Sequence, residues 1–185
     1  MFNDIAVAAN VVLERYPSTI KRVLIVDLDV HQGNGSAVLF KGRPEVVTFS
    51  LHCSANYFSQ KENSDLDVEL PPRCIDSTYL VTLAYWLKQI EEQGQDFDLV
   101  FYQAGVDILD IDRLGRLSIS SKGVGRRNQL VYDFCKRNSL PLVITMGGGY
   151  PQSSESWRPI IEEHANVYFE AYRHLMKWTN GRSKA

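Results

Sequence analysis

Features that would place this chain outside ordinary globular proteins are scarce in it. It has three cysteines, Cys53, Cys74 and Cys135, among 185 residues. They are odd in number, widely spaced and free of any C-x-x-C pattern. That argues against a disulfide framework and for a reducing, cytoplasmic compartment. No apolar run approaches the ~20 residues of a membrane span. The N-terminus has no basic region, and Asp4 interrupts its apolar stretch, against a secretory leader. Charge of one sign is lacking as well. The formal net charge is −2, with no basic block or long acidic tail. Neither nucleic acid nor a membrane is therefore an expected direct partner. There is no internal repeat, low-complexity tract or linker, so one domain with a real core is expected.

Strand and helix patterns alternate along the chain. Residues 4–15 read as a helix, apolar on most of its surface, with Pro17 as its stop. Such a helix needs packing partners on nearly every side. A buried strand follows at about 22–29, then a short helix from Gly35 to Phe40. Residues 46–52 form a second, β-branched strand. The segment from Cys53 to Arg73, polar and punctuated by Pro71-Pro72, reads as an ordered surface loop. Leu80, Leu83, Leu87 and Ile90 put an amphipathic helix over 77–93. A third strand spans 98–105, a loop runs to Ser120, and a helix covers 121–138. A fourth strand at 141–146 ends in Gly147-Gly148-Gly149-Tyr150. The last helix spans 157–177, and Asn180 to Ala185 reads as a frayed tail. Alternating strands and helices mean an α/β fold, three-layered, around a mainly parallel sheet.

The chemistry gathers at the strand ends. Val23-Leu24-Ile25-Val26-Asp27-Leu28-Asp29-Val30-His31 begins as a strand buried on both faces. Side chains two apart on a strand share a face, so Asp27, Asp29 and His31 line up together at its C-terminal end, where open α/β sheets bind ligands. Two carboxylates and an imidazole suit a divalent metal such as zinc; a capped strand end with a solvated Asp pair is the alternative. Parallel strands also bring Asp107 and the glycine run to this edge. Asp29, His31 and Asp107 as ligands would leave a coordination position open, as catalytic zinc requires. Tyr150 could then donate to an oxyanion.

Five motifs occur in order: Asp27-Leu28-Asp29-Val30-His31-Gln32-Gly33-Asn34-Gly35, Ser50-Leu51-His52, Tyr102-Gln103-Ala104-Gly105-Val106-Asp107, Asp112-Arg113-Leu114-Gly115-Arg116-Leu117 and Gly147-Gly148-Gly149-Tyr150. Together they resemble the zinc-dependent histone deacetylase family of the arginase/deacetylase fold, in its bacterial and class IV-like branch. The resemblance implies an amidohydrolase that removes acetyl or acyl groups from lysine or a small acyl-amide. It implies zinc on Asp29, His31 and Asp107, with Tyr150 as the transition-state hydrogen-bond donor. It further implies a structural potassium on oxygens of Asp27, Asp29, His31, Ser50 and Leu51. Leu114, Tyr57 and Phe58, with Gly148 and Gly149, are the implied substrate channel. Ile111 stands where this branch has glycine.

The family also carries a His-His pair, as general base and acid, upstream of the segment resembling residues 2–9. Here no histidine precedes His31. The resemblance thus implies the C-terminal portion of a catalytic domain, its N-terminal part missing. Such a portion would need a complementing N-terminal segment and would be inactive alone. A metal-binding remnant that has lost its chemistry is the alternative.

Overall fold

The computed structural model describes residues 3–56, 60–94, 96–153 and 156–182, with side chains of the last helix described through residue 174. The elements are α1 (Asp4–Arg15), β1 (Val23–Asp27), α2 (Asn34–Leu39), β2 (Val46–Cys53), β3 (Leu66–Leu70), α3 (Asp76–Glu92), β4 (Leu99–Gln103), α4 (Ser121–Arg137), β5 (Leu142–Thr145) and α5 (Trp157–Arg182).

The strands form one five-stranded sheet in the order β3-β2-β1-β4-β5. Every pairing is parallel. β1 lies at the centre and is buried along its whole length, as its unbroken apolar run requires. Helices cover both faces. Ile5, Ala6 and Ala9 of α1 pack with Val23, Ile25, Phe40 and Phe101 on one side. The larger core on the other side joins Leu24, Val26, Val100 and Tyr102 to Tyr79, Leu83, Val131 and Tyr132 of α3 and α4. The side chain of Asn3 caps α1 by accepting from Ala6 N at 2.9 Å. Val7 and Val11 of that helix stay exposed, so α1 is packed on one side rather than on nearly all.

Three expectations need correction. The segment 53–73 is not all loop, because β3 lies within it as an edge strand. Its burial alternates, with Val68 and Leu70 inward and Asp67 and Glu69 outward. That period of two is short, and the polar residues before it and the prolines after it mask it. β1 ends at Asp27, so Asp29 and His31 follow the strand instead of belonging to it. The last helix runs through Arg182, past the expected start of the frayed tail. Within the described residues, no helix is long and apolar enough to cross a membrane. All three cysteines are free and buried.

Candidate metal centre

Beyond β1 the chain stays in register for one more hydrogen bond, from Leu28 N to Gln103 O at 3.1 Å. It then folds back on its own carboxylates. Asp27 accepts from Asp29 N at 3.1 Å, and Asp29 accepts from His31 N at 3.0 Å. These short bonds, not strand alternation, put the Asp29 carboxylate beside the His31 ring, with Oδ1 3.0 Å from Nδ1. Asp107 follows β4 by four residues and reaches the same point. Its Oδ1 accepts from Val30 N at 2.9 Å, and its Oδ2 lies 3.2 Å from His31 Nδ1.

One ligand atom from each of Asp29, His31 and Asp107 falls within 4.8 Å of the others. Asp107 is fully buried, and its Oδ2, despite that nearby ring nitrogen, makes no hydrogen bond of acceptable geometry. A buried carboxylate oxygen left this way, aimed at an imidazole and a second carboxylate, fits a divalent cation. The donor set of two carboxylates and one imidazole suits zinc. The glycines make the approach possible. A Cβ on Gly105 would overlap the Asp29 carboxylate, and one on Gly148 would overlap that of Asp107. Gly148 N also donates to Asp29 Oδ2 at 2.7 Å, and its carbonyl accepts from Val106 N at 2.7 Å. The glycine run is thus the third wall of the site.

The Asp107 carboxyl facing the ring at 3.2 Å and then the hydrogen bond to Asp29 raise the His31 pKa to about 10. Burial, then the neighbouring Asp29 charge, raises Asp107 to about 7. Burial also pushes Asp29 upward. Hydrogen bonds from His31, Asp107 and Gly148 N–H outweigh that and hold it below the usual carboxylate value. Asp27, behind them, is raised well above the ordinary value by burial and by Asp29.

Tyr150 follows the glycine run and meets the His31 ring edge-on, with centroids 6.5 Å apart at 82°. Burial, then Asp107 and Asp29, raises its pKa, so the phenol keeps its proton. Asp112 fixes its backbone by accepting from Tyr150 N at 2.5 Å, and the same carboxylate caps Leu114 N and Gly115 N at 2.8 Å each. Leu114 therefore stands beside Tyr150, 44% exposed at the rim. Asn56 steadies that loop from the far side through Leu114 O and Arg116 N, at 2.7 Å each. Gly149 backs onto His164. Ile111 is exposed on the same loop, and its carbonyl accepts from Gln152.

Asp27 and Ser50 are register partners on β1 and β2. Ser50 Oγ accepts from Gly33 N at 3.2 Å and lies 3.0 Å from His52 Nδ1. Leu51 is fully buried next to them. Tyr57 and Phe58 lie outside the described residues. Two positioning residues gave no signal as single letters. Asp112 was visible only as part of a motif. Arg127, buried beneath the site, reads in the sequence as one more basic residue of an amphipathic helix.

The profile of the histone deacetylase domain matches residues 1–166. An uncharacterized protein of Picosynechococcus sp. is 44% identical over 176 residues, covering 95% of this chain and 53% of that protein. Histone deacetylase 2 of Arabidopsis thaliana is 36% identical over 145 residues, covering 73% of this chain and 35% of that protein. The chain thus spans about half the length of the first relative and about a third of the second. Among solved structures, the histone deacetylase Clr3 superposes with a TM-score of 0.72 at 23% identity, covering 95% of this chain and 30% of that one. The acetylpolyamine aminohydrolase of Burkholderia pseudomallei gives 0.72 at 22%, covering 92% and 49%. At those identities the structures establish the fold, which is the arginase/deacetylase fold. With the profile matching most of its length, the chain belongs to the histone deacetylase family.

Proposed function

We propose that this chain carries the metal-binding portion of a zinc-dependent amidohydrolase that removes acetyl or related acyl groups from lysine or another amine. The observation that carries this reading is the convergence of Asp29, His31 and Asp107 within 4.8 Å. These three would hold zinc, which would supply Lewis-acid polarisation of the scissile carbonyl and acidify water. Tyr150, its phenol protonated, donates a hydrogen bond to the carbonyl oxygen as negative charge grows there. Leu114, Gly148 and Gly149 line the acyl-amine channel in this reading. Asp27, Ser50 and Leu51, with oxygens of Asp29 and His31, hold potassium behind the site. The strongly raised Asp27 supports that assignment, since a buried carboxyl set against Asp29 would gain its charge from a hard cation. A reducing compartment, the cytoplasm, suits three buried free thiols.

Acid–base groups are the missing part. The histidines other than His31 serve elsewhere: His52 is buried beside Ser50, His164 backs Gly149, and His174 pairs with Asp133 at 2.9 Å. In this reading the base comes from a segment bearing the His-His pair that the resemblance implies, in the same polypeptide or another. Asp27 would orient one of the pair and Asn34 would face the other. Positioned acid–base groups are worth about 10²–10⁴-fold. The zinc-loaded 185-residue chain is thus expected to hydrolyse acetyl-lysine peptides and acetylpolyamines at or near background. Turnover is expected once a segment carrying the His-His pair is added. Robust hydrolysis by the chain alone would overturn the complementation reading. The second reading, a non-catalytic metal-binding remnant, draws on the same shortage of a base. A complex that assembles but never turns over would favour it.

A further inference from the structure

We propose that Arg127 is the positioning residue of this metal centre. Its single guanidinium ties together the two backbone turns that deliver Asp29 and Asp107. The inference rests on the metal-site reading given above.

Arg127 lies on α4, under the sheet edge, and is 0% exposed. Arginine is almost never fully buried unless it is paired. Among the described residues, no ion pair accounts for this one. Its donors go instead to neutral oxygens. Nη1 donates to Gly105 O at 2.5 Å and lies 3.4 Å from Leu28 O. Nε and Nη2 both donate to Asn128 Oδ1, at 3.1 and 2.9 Å. That oxygen also accepts from the Tyr102 hydroxyl at 2.7 Å. The guanidinium stands 5.6 Å from the centre of the Tyr102 ring. Asn128 and Tyr102 thus fix the plane of the group and aim Nη1 at the two carbonyls.

The position of those carbonyls gives the clamp its meaning. Leu28 immediately precedes Asp29, and Gly105 lies two residues before Asp107. Among the described residues, the β1–β4 ladder ends at the bond from Leu28 N to Gln103 O. Beyond that point each turn runs on to its own carboxylate, and Arg127 bridges them where the ladder has stopped. A leucine or methionine would fill the same volume without the cost of burying a cation. A planar fork with several donors is what the two-carbonyl contact needs, and lysine, a point donor, cannot reproduce it.

The test compares Arg127→Lys and Arg127→Met with Val131→Ala. The last is a packing change at a fully buried position of the same helix. Zinc affinity is measured on the 185-residue chain by competition with a chromophoric chelator. The d–d spectrum of the cobalt(II)-loaded chain reports ligand geometry. Residues that orient metal ligands typically contribute about 10–100-fold in affinity. Arg127→Met is expected to weaken zinc binding to that extent, with Arg127→Lys in between, and both are expected to alter the cobalt spectrum. Val131→Ala is expected to lower the melting temperature and leave affinity and spectrum unchanged. If the methionine variant does not fold, the lysine variant decides. Wild-type affinity and spectrum in Arg127→Lys would overturn the proposal. An equal loss in Val131→Ala would overturn it too, because the effect would then be packing. Absence of zinc binding by the wild type would remove the metal reading itself, a result distinct from either.

Discussion

Asp29 and Asp107 sit on turns cross-tied by Val30 N, Gly148 N and Arg127, while Tyr150 and Leu114 hang from one carboxylate, that of Asp112. Asp107 is fully buried and the Asp29 side chain 13% exposed, whereas Tyr150 is half-buried and Leu114 exposed. The floor of the site is therefore set by the fold, whereas the rim is set by a loop. In a metal enzyme that division separates two tasks. Ligand geometry has to be rigid before the cation arrives. The surface that meets the substrate can vary without disturbing it.

The comparison can be broken at the rim. In the complemented enzyme, Tyr150→Phe removes only the phenol hydroxyl. It is expected to cost about 10²–10³-fold in kcat, as loss of an oxyanion donor does elsewhere, with zinc affinity unchanged. Full activity in that variant would remove Tyr150 from the chemistry. Asp112→Ala frees the backbone of both Tyr150 and Leu114. Steady-state kinetics are expected to show a drop of about tenfold in kcat/KM, the scale of a small misplacement. If chelator competition showed an equal loss of zinc affinity, floor and rim would be one unit and the comparison would fail.

Titration separates the two regions in another way. In the metal-free chain, His31 binds its proton more tightly folded than unfolded, with its pKa raised from 6.5 to about 10. Its contribution to stability is complete below about 6.5 and is lost as pH rises through about 10. Asp107 is raised from 3.8 to about 7, so the folded chain again holds the extra proton, and that contribution fades as pH rises through 7. Both signs agree. His52 and His164, their pKa values lowered by burial, give the opposite slope below about pH 6.5, so thermal melts of the metal-free chain are expected to show Tm falling from pH 7 toward pH 10. Added zinc is expected to reverse the slope, since a metal competes with the proton on its ligand and binds more tightly as pH rises. A metal-free Tm that climbs over this range would contradict the triad's assigned charges. The smallest effect belongs to Leu114→Ala, an exposed rim contact. It is expected to raise KM roughly twofold to threefold while kcat stays constant.

Much of this was legible in the residues. An unbroken apolar run predicts a central parallel strand, and β1 is one. Asp-x-Asp-x-His followed by Gly-x-Gly, and Ala-Gly-Val-Asp after another apolar run, predict converging strand ends. The structure brings those ends together. Side-chain-to-backbone bonds after the strand, not strand alternation, set the alignment of Asp29 and His31. β3 escaped notice because Leu66, Val68 and Leu70 are three apolar letters in a polar stretch closed by prolines. Their role depends on β2 lying alongside. Arg127 escaped for a deeper reason. Its neighbours in space, Leu28 and Gly105, are 99 and 22 residues away in sequence. Both contribute only backbone carbonyls, which every residue has.

The most direct test is zinc content. The purified 185-residue chain and its Asp29→Ala, His31→Ala and Asp107→Ala variants are exposed to zinc, desalted and measured by elemental analysis. About one zinc per wild-type chain is expected, as three protein ligands in one site imply, and little or none in the variants. Equal zinc in all four proteins, or none in the wild type, would contradict it.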